Sequence, residues 1–223
     1  MTSLAERIAR RLEQRLVDIQ ATGRRPRVAL TGGTIAVAAY RELSAAGVDW
    51  SDVDFWWGDE RFVPDGHTDR NDQQARDAFL DRLGVPAAHV HAFGAHDCAW
   101  SAREAADAYA ATLPASGFDL VLLGLGPDGH VASLFPGFPQ LHETERPVAE
   151  VFDSPKPPPV RLTLTFPTLN DTEAVWFLVS GAEKAAAVAR ARADDGTVDE
   201  TPARGVRGRG ETLWLTDDEA SAG

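Results

Sequence analysis

Phe118-Asp119-Leu120-Val121-Leu122-Leu123, bounded by Gly117 and Gly124, is the stretch on which the fold turns. A near-continuous apolar run of this length suits a strand covered on both faces, as in the interior of a parallel sheet. The glycine-rich loop 124–137 follows it directly. Reading outward, the same alternation of short apolar strands and periodic helices recurs. Residues 27–31 read as a strand running into Gly32-Gly33-Thr34, then residues 35–43 as a helix. Residues 53–57 read as a strand, residues 58–70 as a polar loop and residues 71–83 as a helix, with a short strand near 90–93. A helix over 101–113 carries Ser101 and Glu104 at capping-box spacing. Later strands are expected at 148–152, 161–165, 174–179 and 212–216, with a helix over 181–193 and an irregular proline-rich segment over 139–160. At the N-terminus, Leu4, Ile8, Leu12, Leu16 and Ile19 repeat at helical spacing behind Ser3 and Glu6, and Gly23 ends the run. The pattern predicts an α/β fold, a single domain over residues 1–223 with a mostly parallel central sheet flanked by helices.

Composition narrows the function. The 223 residues are 43% hydrophobic and 25% charged, the balance of a globular chain large enough to hold a core. The formal net charge of -12 disfavours nucleic acid and anionic lipid as general partners. No apolar run approaches the roughly 20 residues of a membrane span. The N-terminal MTSLAERIARRLEQRL is charged where a signal peptide is apolar, so a cytoplasmic protein is expected. The single cysteine, Cys98, allows no internal disulfide and no multi-thiolate metal site, and weakly favours a reducing compartment.

Three loops follow predicted strands, and ligands of open α/β sheets bind beyond the carboxyl ends of strands. In Thr31-Gly32-Gly33-Thr34, paired glycines, a helix N-terminus and the Thr34 hydroxyl suit an anion such as phosphate. Taken alone, the same four residues are an ordinary strand–helix turn. In Gly58-Asp59-Glu60-Arg61, an arginine fit to grip a carboxylate, phosphate or oxyanion stands beside two acids. Taken alone, that cluster is a solvated charged loop. In the loop 124–137, His130 stands among Asp128, Gly129 and Ser133, at a sharp turn where a proton-transferring imidazole is useful. Two later cations stand out. Arg161 begins a strand, and Lys184 lies at a helix N-terminus, where it opposes the helix dipole unless an anion sits between them.

Together these segments resemble the 6-phosphogluconolactonase family. The resemblance rests on TGGT at 31–34, GDERFVP at 58–64, TDRND at 68–72, GLGPDGHVASLFPG at 124–137, RLTLTFPTLN at 161–170, GAEKA at 181–185 and TLWLTD at 212–217. The segments span nearly the whole chain in the family's order, and the GxGxDGHxASLFPG element is the specific one. The first loop departs from the usual SGGSTP, and Val131 stands where a threonine often follows the histidine. The resemblance implies a sheet related to the sugar-phosphate isomerase and deaminase superfamily. It also implies hydrolysis of 6-phospho-D-glucono-1,5-lactone in the oxidative pentose phosphate pathway.

Glucosamine-6-phosphate deaminases instead look like DEY and DGHIAFNEP, so Arg61 and Ser133-Leu134-Phe135-Pro136 favour the lactonase. A sugar-phosphate-sensing DNA-binding regulator is disfavoured, because only one helix precedes the first strand. Lactone hydrolysis calls for no metal and no cofactor. It needs a base for water, a stabiliser for the carbonyl oxygen and a proton for the leaving ring oxygen. His130 suits the first and third tasks. Asp128 or a backbone carbonyl orients its ring, and Arg61 serves the oxyanion or a sugar hydroxyl. Gly32, Gly33, Thr34, Arg161 and Lys184 are expected to hold the phosphate, with either Asp59 or Glu60 facing the ligand. Ser133 lacks a GxSxG elbow and reads as loop support. The expected partner is a small sugar phosphate, bound by a monomer or small homo-oligomer.

Overall fold

Helix α1 (Leu4–Gln20) starts at a closed capping box. The Ser3 hydroxyl accepts from the Glu6 amide at 3.1 Å, and the Glu6 carboxylate accepts from the Ser3 amide at 2.6 Å. Its buried stripe is Ile8, Ala9, Leu12, Leu16 and Ile19. The structure is a computed structural model describing residues 2–97 and 99–221, so the expectations for Cys98 lie outside the described residues.

After α1 come β1 (Arg27–Leu30), α2 (Thr34–Arg41), β2 (Asp54–Trp57), β3 (Asp59–Arg61), α3 (Asn71–Ala75), α4 (Ala102–Ala110) and β4 (Leu120–Leu123). The second half adds β5 (Val148–Val151), β6 (Arg161–Leu164), α5 (Phe166–Asn170), β7 (Ala174–Val179), α6 (Ala185–Arg192) and β8 (Glu211–Thr216). Five strands form a fully parallel sheet in the order β2-β1-β4-β7-β8. Strand β4 is its middle member, and all four of its side chains are completely buried. The FDLVLL stretch thus occupies the place its apolar run demands.

The rest of the expected sheet is built differently. Residues 59–61 are not loop but strand β3, and residues 161–164 do not join the parallel sheet. The two pair with each other, and β6 pairs on its other side with β5, in a separate antiparallel sheet of order β3-β6-β5. Gly58 makes the transition. Its amide donates to the Leu30 carbonyl of the parallel sheet, and its carbonyl accepts from the Leu164 amide of the small one, both at 2.9 Å. Asp59 and Glu60 look like loop residues because they are charged, yet both are buried and hydrogen-bonded.

Three further departures are local. The expected helix 71–83 is regular only through α3, and Arg76–Leu80 form a π-helical turn. Ala78, Phe79 and Leu80 are all buried there, a run of three that one face of an α-helix does not cover. Residues 90–93 form no strand, only a bridge between Val90 and Phe55. Within 181–193, Ala182–Lys184 wind as a 3-10 turn before α6. The core beside β2 is aromatic: Phe79 contacts Tyr40, Trp50 and Phe55, with ring centroids 5.3–5.9 Å apart. Among the described residues, no helix is long and apolar enough to cross a membrane.

Candidate active site

The turns after β1, β2 and β4 meet at the carboxyl end of the parallel sheet around a cavity of about 170 Å³. Two buried tyrosines set the strand ends beneath it. The Tyr40 hydroxyl accepts from the Thr31 amide and donates to the Thr31 carbonyl, at 3.2 and 2.9 Å. The Tyr109 hydroxyl brackets the amide and carbonyl of Trp57 in the same way. Each hydroxyl satisfies two buried backbone groups where the ladder stops, so the turns above start from fixed positions.

His130 lines the cavity, and its Nδ1 lies 2.5 Å from Asp128 Oδ1. The ionised carboxylate accepts a hydrogen bond from Nδ1–H, which leaves the Nε2 lone pair available as a base. Burial raises the Asp128 carboxyl, but the hydrogen bond and charge of His130 outweigh it and bring the group down to about 2. The loop closes tightly around this pair. The Gly126 amide donates to the His130 carbonyl, and the Gly129 amide donates to the Gly126 carbonyl. A Cβ on Gly126 would stand 2.0 Å from His130 Nδ1, so only glycine lets the ring lie where it does.

The two acids of the second loop part company. Asp59 lines the cavity, accepting from Ser133 Oγ at 2.6 Å and from Asn71 Nδ2 at 3.3 Å. Glu60 does not line it. Its carboxylate accepts from the amides of Arg61, Asn71 and Asp72, holding the first turn of α3. Burial, reinforced by Asp72, raises the Glu60 carboxyl to about 8 against the opposing pull of Arg70 and the amides. Ser133 is completely buried and donates to Asp59, which makes it a tether of the loop rather than an exposed hydroxyl.

The five residues expected to hold phosphate do not share one cavity. Thr34 and Lys184 line an adjoining space of about 280 Å³, Arg161 lines the His130 cavity, and Gly32 and Gly33 line both. Arg61 also lines the His130 cavity, donating Nη1 to the Asp69 carbonyl and leaving Nε buried without a partner. Two of the polar lining residues, Lys156 and Asn71, have no role in the sequence reading. Lys156 lies in the proline-rich segment, whose irregular pattern hides which side chains turn inward. Asn71 sits so close to Gly32 that a Cβ there would meet its Oδ1 at 1.9 Å. Its presence in the TDRND stretch was the only signal. Among the described residues, no group of three or more His, Cys, Asp or Glu side chains is placed to hold a metal ion.

Comparison with known proteins places the chain. The family described as "Glucosamine-6-phosphate isomerases/6-phosphogluconolactonase" matches residues 1–214. A 6-phosphogluconolactonase of Streptomyces coelicolor is 43% identical over 235 residues, covering 98% of this chain and 90% of its own. One of Mycobacterium tuberculosis is 45% identical over 207 residues, covering 87% of this chain and 83% of its own. The solved 6-phosphogluconolactonase of Trypanosoma brucei superposes with a TM-score of 0.83 at 30% identity, covering 98% of this chain and 95% of that one. With a family match over nearly its whole length and relatives above 40% identity, the chain belongs to the glucosamine-6-phosphate isomerase/6-phosphogluconolactonase family.

Proposed function

We propose that His130 activates water for hydrolysis of 6-phospho-D-glucono-1,5-lactone to 6-phosphogluconate. The activity follows from the relatives: the chain is an enzyme of the 6-phosphogluconolactonase type, acting in the oxidative pentose phosphate pathway. The observation that carries the residue-level reading is the 2.5 Å contact of Asp128 with His130, which lines a cavity bordered by cations. Water attacks C1 as Nε2 of His130 takes its proton, and negative charge grows on the carbonyl oxygen. Collapse of this intermediate breaks the C1–ring oxygen bond, and the imidazolium returns the proton to the leaving oxygen. Asp128 stays ionised throughout, fixing the ring and the tautomer.

Thr34, Lys184 and the backbone of Gly32 and Gly33 take the phosphate. The free amides of the first turn of α2 point the positive end of its dipole toward that side. This answers the charge problem of an acidic protein with an anionic substrate, since the cations gather where the substrate enters. Asp59 is the acid that faces a sugar hydroxyl. The enzyme works in the cytoplasm as a monomer or small homo-oligomer.

The test follows acid release from freshly made lactone, with spontaneous hydrolysis subtracted, alongside ammonia release from glucosamine 6-phosphate. Acid without ammonia is expected from wild type. His130→Ala should fold, still bind 6-phosphogluconate, and lose roughly 10²–10⁴-fold in turnover. Turnover near wild type in that variant would rule out the general base.

A further inference from the structure

Arg161 faces the His130 cavity, yet most of its hydrogen-bonding capacity is turned away from any ligand. Its Nε donates to the Pro158 carbonyl at 2.9 Å, and one Nη donates to the carbonyls of Lys156 and Pro157, each at 3.0 Å. Three successive carbonyls of one loop converge on a single guanidinium. Ser154 closes the same loop from the other side. Its hydroxyl donates to the Lys156 carbonyl at 2.9 Å, and its amide donates to the Pro159 carbonyl at 3.0 Å. The loop joins β5 to β6, and Lys156 is its one cationic side chain.

The Lys156 side chain is the opposite case. Its backbone is fixed by Arg161 and Ser154, while no hydrogen bond or ion pair among the described residues engages its ammonium. Lys156 lines the same cavity as His130. Burial lowers its pKa, Asp128 opposes that shift, and the neighbouring Lys184, Arg161 and Arg61 add to it. The Asp128 carboxyl in turn feels the Lys156 charge. Lys156 is an exposed residue, but its uncommitted ammonium stands among Lys184, Arg161 and Arg61 and within reach of the Asp128 charge, so it gains when negative charge appears in front of it.

We infer that Lys156 is the cation that stabilises the lactone carbonyl oxygen as it becomes an oxyanion, and that Arg161 is a positioning residue holding the loop that aims it. The inference rests on the His130 mechanism above and assigns within it a task that the sequence leaves to Arg61. Arg61 already gives one donor to the Asp69 carbonyl. Lys184, the other uncommitted ammonium, lines the adjoining cavity with Thr34.

The experiment compares steady-state kinetics of Lys156→Met, Arg161→Gln and the double variant, with circular dichroism to check the fold. Lys156→Met should lower kcat about 10²-fold, the usual loss for one oxyanion-stabilising group, with KM within about threefold of wild type. Arg161→Gln should lower kcat about tenfold in the wild-type background and change it less than about twofold in the Lys156→Met background, because it acts only through the lysine. Lys156→Met with kcat retained and KM raised would make Lys156 a binding cation and overturn the assignment. An equal Arg161→Gln loss in both backgrounds would overturn the positioning role. If Arg161→Gln fails to fold, Arg161→Lys takes its place in the same comparison. Failure of the underlying mechanism reads differently, as a His130→Ala enzyme that keeps its turnover.

Discussion

Asp128 and His130 are two residues apart in one loop, and a single carboxylate oxygen of Asp128 meets both the His130 ring at 2.5 Å and the His130 amide at 3.3 Å. The carboxylate therefore sets the ring's tautomer and the loop's curvature together. Asp128→Asn keeps the shape but turns the acceptor into an amide that can present N–H to Nδ1. Turnover should fall about 10²–10³-fold with the affinity for 6-phosphogluconate little changed. A kcat within fivefold of wild type would remove Asp128 from the mechanism.

The same pair predicts a pH dependence of stability. The folded-state value of about 2 lies below the ordinary value of 3.8, so the carboxylate's contribution is present above about 3.8 and lost as pH falls through 2. The Asp128 side chain is 37% exposed, so after solvent screening the contribution is about 1 kcal/mol. Urea unfolding of wild type and Asp128→Asn should differ by that amount at pH 6, and the gap should close by pH 2. A gap that widens in acid would contradict the linkage.

Gly126→Ala places a methyl group where His130 Nδ1 and Asp128 Oδ1 now lie, at 2.0 and 2.3 Å. The ring has to leave Asp128. A displacement of about 1 Å at the reacting group costs about 10²-fold in turnover. Melting temperature should fall only a few degrees, so activity and stability losses separate in one variant.

Lys184→Ala should raise KM about 10–100-fold with kcat retained, the signature of a charged hydrogen bond made equally in ground and transition states. Inorganic phosphate should also inhibit wild type more strongly than this variant. Unchanged KM would move the phosphate away from the cavity shared by Thr34 and Lys184.

Glu60→Ala tests a different role. It leaves the amides of Arg61, Asn71 and Asp72 without their acceptor. Buried unpaired donors cost about 1–3 kcal/mol each, so a loss of about 3 kcal/mol is expected, lowering the melting temperature by about 10 °C. An unshifted melting curve would show that water replaces the carboxylate.

What was legible in the sequence is what is local. The Ser3–Glu6 and Ser101–Glu104 caps, the buried run at 120–123 and the turn at His130 each depend on neighbours within a few residues. Strand β3 was illegible because Asp59 and Glu60 are buried by partners far along the chain: Ser133 is 74 residues from Asp59, and the Asn71 amide 11 from Glu60. Lys156 was illegible for a related reason. Nothing around it repeats with a strand or helix period, and the guanidinium that fixes its loop belongs to the next strand. The pairing of Thr34 with Lys184 and the separation of Arg161 from both depend on how two sheets meet, which no single segment encodes.

Gly58, bonded to Leu30 on one side and Leu164 on the other, is the seam between those sheets, and the site straddles it. His130 and Lys184 come from loops of the parallel sheet, whereas Arg61, Lys156 and Arg161 belong to the small antiparallel one. Proton transfer and the handling of charge around it thus draw on different sheets, tied together where Ser133 of the His130 loop bonds Asp59 and Thr163 of the small one. Substitutions in the small sheet that spare Asp59 and Thr163 retune which oxygenated groups the enzyme tolerates while the imidazole keeps its loop. A library that randomises the small sheet but keeps those two tethers samples new substrates without discarding the base.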